Sequence, residues 1–418
     1  MGKKLVSSIF IFLIIPWTLF GVSLKNKDEE NWFDSIPMLD AYYDDNLEES
    51  EVSFWDSCNV SLITISKGKP LYSWFGHTGL LVESPMGDIF FDYGTFSFSA
   101  DNFIGNFIMG RLWFCCNAGY FDYDLAVTEQ EGRGLTKIEL TLDVSQKKAI
   151  INFLQTNAKQ ENRTYLYHHY NDNCATRIRD IINYTTHGAF KEWAQTQEGL
   201  TFRQEASRSL AQNRIVLWVL NCLQSGNIDK KASLWDQMFM PEILQKAVAA
   251  FYTLEPETVI EESGKYQGSP SKPQNNVLFS VVMALVLCLV SFTFYKKGHE
   301  KSFFIYSAIV DIVFGLVGCV LFFMMFFTNH DVTWFNENIL FINPLLLATG
   351  VLSIIAASKI KVRKPLLICY YILLIPTLFV VIAKLLFGNI FMQQNWDIII
   401  TMAIIYCTNI VLLKKINN

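Results

Sequence analysis

Beyond Val277 the chain carries five apolar runs, at about 277–295, 303–327, 338–357, 365–387 and 396–413. Each comes near the ~20 residues that a helix needs to cross the hydrocarbon core of a bilayer. Lipid offers no hydrogen-bond partner to a backbone N–H or C=O, so runs of this kind fold as helices. About a third of the chain is thereby committed to an all-α membrane domain. The bias is visible throughout: of 418 residues 51% are hydrophobic, 34 are Phe and only 17% are charged, too apolar for a soluble protein of this length.

The loops orient these spans. Lys296, Lys297 and Lys301 follow the first, Lys359, Lys361, Arg363 and Lys364 follow the third, and Lys414 and Lys415 close the chain. The other two loops, NHDVTWFNEN and GNIFMQQNWD, hold no Lys or Arg. The positive-inside rule makes the basic loops and the C-terminus cytoplasmic, and an odd number of spans puts everything before Val277 outside. The N-terminus agrees. In MGKKLVSSIFIFLIIPWTLFGVS two lysines precede an apolar core, and Gly21 and Ser23 supply small residues at −3 and −1. Residues 1–23 read as a secretory signal peptide or, if uncleaved, as an anchor of the same orientation. No cysteine follows the cleavage site, so the chain is not itself a lipoprotein. The expectation is a multi-pass membrane protein with residues 24–270 on the exported side. Within the spans, Asp311 lies in the second, where an acid either serves a function or reaches water or a partner. Lys384 near the end of the fourth is placed to snorkel.

The exported part reads as α+β. Residues 24–50 are an acidic, polar lead-in. Strands are expected at Val60–Ser66, from His77 in HTGLLV, at 88–98 after the turn Ser84-Pro85-Met86-Gly87, and at Leu135–Asp143. The apolar segment 99–116 is either a core helix or an element that dips into the membrane interface. An amphipathic helix is expected from Val144, and residues 190–255 read as helices that include RIVLWVLNCL and MPEILQKAVAAFY. The Gly- and Pro-bearing linker GKYQGSPSKPQNN leads to the first span. A net charge of −5 gives no reason to expect nucleic acid.

Nine cysteines show no CxxC pair and no metal-ligand spacing, so neither a metal nor another cofactor is called for. Cys115 and Cys116 are each candidates to pair with Cys58 in an oxidising compartment. Cys174 is different. It stands in YLYHHYNDNCATRIRD, directly after Asn171, Asp172 and Asn173, whose side chains cap helix starts, and before a good helix-forming run. A cysteine in a first helical turn meets the partial positive charge that stabilises a thiolate and N–H groups that can hold an oxyanion. The plain alternative is a buried structural cysteine.

A thiolate nucleophile needs a base, and the base an orienting partner. His168, His169 and His187 are near Cys174 in sequence. His77 opens a strand between Gly76 and Gly79, which would leave space around its ring, and is the preferred base. Asp92, on the paired strand, is the preferred third group, with Asp88, Glu83 and Asn171 as alternatives. Arg177 and Arg179 are solvated helix residues or, for one of them, a phosphate head-group contact.

GHTGLLV followed by YNDNCATRIRD resembles the permuted papain-like (NlpC/P60-type) group that includes the lecithin–retinol acyltransferases. Together with the signal peptide and five spans, the chain is similar over nearly its whole length to the Lnb family, the lipoprotein N-acyltransferases of Bacteroides-type bacteria. The resemblance implies a permuted papain-like exported domain followed by an all-α bundle of five transmembrane helices, with His77 and Cys174 as the catalytic pair. It implies a phospholipid acyl donor and a diacylated lipoprotein as acceptor, with the acyl chain carried as a thioester on Cys174. Two rivals remain: a membrane-anchored thiol amidase or peptidase acting on cell-wall peptides, and a non-enzymatic assembly or sensor protein in which Cys174 is structural.

Overall fold

The computed structural model describes residues 48–96, 102–263, 268–387 and 391–417; the signal-peptide segment 1–23 and the lead-in up to residue 47 lie outside the described residues. The N-terminal domain is built on a seven-stranded antiparallel sheet of order β6-β4-β3-β2-β1-β5-β7. Its strands are β1 (Asn59–Ile65), β2 (His77–Glu83), β3 (Ile89–Thr95), β4 (Trp113–Tyr120), β5 (Leu135–Glu139), β6 (Thr164–Leu166) and β7 (Glu257–Ile260). Four coincide with the expected strands. β4, β6 and β7 do not: β4 and β6 lie in apolar or aromatic stretches with no alternation to announce them.

The helices that matter to the site are α1 (Phe103–Met109), α2 (Phe121–Glu131), α3 (Val144–Asn157), α4 (Cys174–Thr185), α5 (Arg214–Leu223) and α6 (Pro241–Tyr252). The alternation of β1 to β3 divides the core. Val60, Leu62, Leu80, Val82, Phe91 and Tyr93 pack with Ile150, Phe153, Ile178, Ile182, Leu244 and Val248 of α3, α4 and α6. Ile63, Leu81 and Phe90 face the other way, against Phe121 and Leu125 of α2. Both faces of the sheet are therefore covered. All nine cysteines are free, so the expected candidates Cys115 and Cys116 make no bridge to Cys58; Cys58 and Cys116 are buried.

Among the described residues, five helical segments are long and apolar enough to cross a membrane: Val277–Lys296, Glu300–Phe327, Glu337–Ala356, Ile360–Leu386 and Trp396–Asn417. We label their α-helices α7 (Val277–Lys296), α8 (Glu300–Phe327), α9 (Leu345–Ala356), α10 (Arg363–Leu386) and α11 (Trp396–Asn417). The third is not one helix. A 3-10 turn at Glu337–Leu340 precedes α9, and Asn343 accepts from the Leu345 N–H at 3.0 Å. Irregular backbone at this depth survives only where protein satisfies it. Here α5 supplies the partner. Asn336 donates to the Cys222 carbonyl at 3.0 Å, and Asn338 donates to the carbonyls of Asn221 and Cys222 at 3.1 and 2.9 Å, which are otherwise orphaned at a helix C-terminus.

Helix α5 thus belongs physically to the bundle, although its sequence neighbours belong to the sheet domain. Trp218 and Cys222 join the core of Phe314, Ile398 and Met402, and Asn221 donates to Asp397 at 2.8 Å. Two span residues also differ in kind. Lys384 does not snorkel: its ammonium pairs with Glu337 at 2.7 Å and donates to the carbonyls of Phe391 and Gln393, with 4% of its side chain exposed. Asp311 is buried and accepts from the Tyr370 hydroxyl at 2.7 Å.

Candidate active site

The cysteine is placed by its cap. The Asn173 side-chain oxygen accepts from the N–H groups of Ala175 and Thr176 at 2.9 and 3.0 Å, and the Thr176 hydroxyl accepts from the Asn173 N–H at 2.8 Å. Its amide donates to the carbonyls of His169 and Phe239 at 2.7 and 2.9 Å. This reciprocal cap fixes the start of α4, with Cys174 as its first residue. It also consumes two first-turn donors. The Cys174 N–H is the one the cap leaves for an oxyanion, fewer than the bare sequence suggested.

Arg177 holds the same turn from behind. It is buried, grips Asp172 with both arms of its fork at 2.6 and 2.9 Å, and lies 3.7 Å over the Tyr165 ring. Arg179 pairs with Asp180 at 2.7 Å and stacks on Trp235 at 4.1 Å. Both guanidinium groups are engaged within the protein rather than solvated or held out toward a head group.

The base comes from the sheet. In the antiparallel pair of β2 and β3, Gly79 lies opposite Asp92. His77 is two residues from Gly79 on the same face, so His77 and Asp92 are diagonal neighbours within side-chain reach. The His77 Nε2 sits 3.3 Å from the Asp92 carboxylate. With Nε2 turned to Asp92, Nδ1 is left for the hydrogen bond that His77 also makes with Cys174. Some 26% of the His77 side chain stays exposed, which leaves room for a reacting group. Continuing the register puts Gly94 opposite His77. A Cβ there would fall 2.4 Å from His77 Cε1 and 3.0 Å from Nδ1. The space for the ring is thus made by Gly94. Gly79 instead makes room for the Phe90 ring and the Phe91 carbonyl, which corrects the expectation that Gly76 and Gly79 free the His77 ring.

The electrostatics follow from these neighbours. Burial alone would push the His77 imidazolium down, but the charges and hydrogen bonds of Cys174 and Asp92 carry it up to about 10. Burial works to raise the Asp92 carboxyl. Its hydrogen bonds from His77, the Gly94 N–H and the Asn117 side chain hold it below the ordinary range. The Gly94 bond is 2.8 Å. Sequence reasoning missed Gly94 and Asn117. A lone Gly inside a strand was a readable sign of close approach. Asn117, opposite Asp92 on β4, had no signal until the strand order was in hand. A second carboxyl, Asp124 of α2, is pushed up by burial and by Asp92, with His77 opposing.

The structure brings Cys174, His77 and Asp92 together and leaves the alternatives elsewhere. Glu83 pairs with Lys137 at 2.6 Å, Asp88 is exposed beside its turn, and Asn171 is exposed. His168 reaches away from the thiol to Asp331 at 2.9 Å, while its Nδ1 accepts from the Tyr170 and Asn171 N–H groups. His169 is enclosed by Phe75, Tyr170 and Phe239, and burial and His168 lower it to about 4. A thiol, a base and an oriented carboxylate of this kind can carry out nucleophilic acyl chemistry.

Gly94→Ala tests the fit of the ring. The expected result is a roughly 10²-fold slower first chemical step, because a catalytic group displaced by about 1 Å loses that much, with the thermal unfolding midpoint little changed. A wild-type rate, measured alongside unfolding, would show that the ring does not depend on this gap.

Residues 51–208 match the Lnb N-terminal periplasmic domain, and residues 273–417 match the Lnb transmembrane domain. No curated protein and no solved structure matches the chain.

Proposed function

We propose that this chain, which belongs to the Lnb family through both of its domains and is thereby a membrane-bound enzyme of lipoprotein biogenesis, moves an acyl chain from a phospholipid to the α-amine of a diacylglyceryl-cysteine. The observation that carries this reading is the Cys174–His77–Asp92 contact, held at one end of a five-helix bundle by His168–Asp331 and by Arg111–Asn329 at 3.0 Å. A nucleophile tied to the end of a membrane bundle is suited to lipid esters. A cell-wall amidase needs no such bundle. In this reading the basic loops face the cytoplasm, as does the C-terminus, and the site lies at the periplasmic surface of the inner membrane.

The mechanism is ping-pong. The Cys174 thiolate attacks the ester carbonyl carbon, and the Cys174 N–H faces the developing oxyanion. The C–O bond breaks, the leaving alkoxide takes the His77 proton, and a lysophospholipid departs. The lipoprotein amine then attacks the thioester. His77 takes the N–H proton, the C–S bond breaks, and thiolate and imidazolium are restored. Asp92 holds the imidazole throughout.

Intact-mass spectrometry of the purified full-length protein after incubation with phospholipid tests this. The expected result is one acyl adduct, located on Cys174 and released by hydroxylamine, with an equivalent of lysophospholipid. Absence of the adduct, together with release of soluble peptides from peptidoglycan, would replace the reading with the amidase.

A further inference from the structure

Helix α1 has no buried residue. Ile104, Phe107 and Ile108 expose 72%, 53% and 48% of their surface, an arrangement that water penalises unless something apolar covers it. The helix is fastened to the end of α8: the Asn329 N–H donates to the Met109 carbonyl at 2.9 Å, and His330 Nε2 lies 3.2 Å from the Phe107 carbonyl. Helix α8 ends there in the exposed Phe327. The apolar surface of α1 therefore continues the lipid-facing surface of the bundle, as an interfacial helix does.

From α1 a file of aromatic rings runs inward. Phe107 stacks on Phe103 at 6.4 Å between centroids, Phe103 on Phe96 at 6.0 Å, Phe96 on Phe114 at 4.8 Å and Phe114 on Tyr167 at 4.2 Å. All four pairs are near parallel, within 22°. The aromatic cluster around Tyr170, by contrast, packs edge-on or tilted inside the core. The inner four rings are half-buried. The inner end of the file lies beside the start of α4: Phe114, Tyr167 and Cys174 lie against the same core, the Tyr167 hydroxyl is 3.4 Å from His169 Nδ1, and the Asn173 amide donates to the His169 carbonyl at 2.7 Å.

We propose that this file, Phe107–Phe103–Phe96–Phe114–Tyr167, is the track along which the donor phospholipid's acyl chain lies between the membrane surface and Cys174. The inference rests on the acyl-transfer reading and extends it by assigning a site to the donor chain. A stacked, half-open aromatic strip offers continuous apolar contact to a polymethylene chain without directional polar groups. Its two ends are the places a phospholipid tail must start and its ester must finish.

Two measurements on the full-length protein test it. The first compares Cys174 acylation by a sixteen-carbon and by a four-carbon phosphatidyl lipid in Phe96→Ala and Phe103→Ala. The expected result is a fall of about 10-fold in the long-to-short rate ratio, since each lost contact should count in proportion to chain length. An unchanged ratio would overturn the track, whether or not the absolute rates fell. The second needs no turnover. Cys174→Ala protein is photolabelled with a phospholipid carrying a diazirine in its acyl chain, and labels are expected on peptides bearing Phe96, Phe103 or Phe114. Labels confined to the bundle would overturn the track, and preferential labelling of these rings by a diazirine lipopeptide would give the strip to the acceptor instead. A wild type that forms no adduct with either lipid, yet labels along the strip, would sink the acyl-transfer reading and leave the lipid track standing.

Discussion

Cells whose only copy carries Cys174→Ala are expected to accumulate lipoproteins with a free α-amine on a diacylglyceryl-cysteine. In vitro, the same substitution should lower N-acylation by at least about 10³-fold, because every later step depends on the thioester. The fold should persist. Cys174 is only partly buried, at the edge of the core, and the cap that starts its helix is made by Asn173 and Thr176 without it. Cys174→Ser makes the sharper control. A hydroxyl fills the place of the thiol and keeps a donor, but it is a far weaker nucleophile beside the same base. Mass spectra of lipoprotein N-termini, with unfolding curves for both variants, decide the matter. Unchanged triacylation in cells without a redundant enzyme would remove Cys174 from the chemistry.

Much of this site was legible before any coordinates, and the reason is local. Asn171-Asp172-Asn173 before a helical run places a cysteine in a first turn through short-range capping alone. The alternation in HTGLLV places His77 on a strand in the same way. Asp92 was preferred over Asp88 and Glu83 but not fixed, because the sequence does not set the register of the strand pair and a one-residue slip would turn Asp92 to the other face. The pairing of Gly79 with Asp92, which sets Asp92 diagonal to His77, resolves that geometry, and with it comes the role of Gly94.

What stayed hidden depends on contacts distant in sequence. β4 runs through WFCCNAGY, half-exposed and without a period of two; its strand character comes from β3 and β6 on either side. The five spans were plain because lipid imposes length and apolarity on every one. Lys384 was misread because a lysine near a span end ordinarily finds water, whereas here Glu337 of the broken third span reaches it. The docking of α5 into the bundle was equally invisible. Its apolar face matches a soluble core as well as a membrane one, and only the Asn336 and Asn338 contacts distinguish them.

The second large effect concerns His77 and pH. His77→Ala should slow formation of the acyl-enzyme by about 10²–10⁴-fold, the usual worth of a positioned acid–base group. In the intact protein Cys174 and Asp92 overcome burial and raise His77 from the ordinary 6.5 to about 10. The imidazolium, and the stability it confers, are complete below about pH 6.5 and are lost as pH rises through about 10. Acylation by phospholipid needs that proton for the leaving alkoxide, so its rate should fall on the alkaline side near 10. Transfer to the lipoprotein needs a neutral amine as well, and an α-amine ordinarily loses its proton near about pH 8. The second half-reaction should therefore climb through about 8 and, because His77 serves it as a neutral base, show no descent near 10, while the first lacks that rise and alone descends. Asp92→Asn separates the causes. It removes one of the charges that raise His77, so the alkaline descent of acylation should move to lower pH, which a structural role for Asp92 would not produce. Single-turnover acylation rates measured from neutral to alkaline pH in the wild type and in Asp92→Asn check this. Coincident descents in the two proteins would show that the Asp92 charge does not act on the proton His77 delivers.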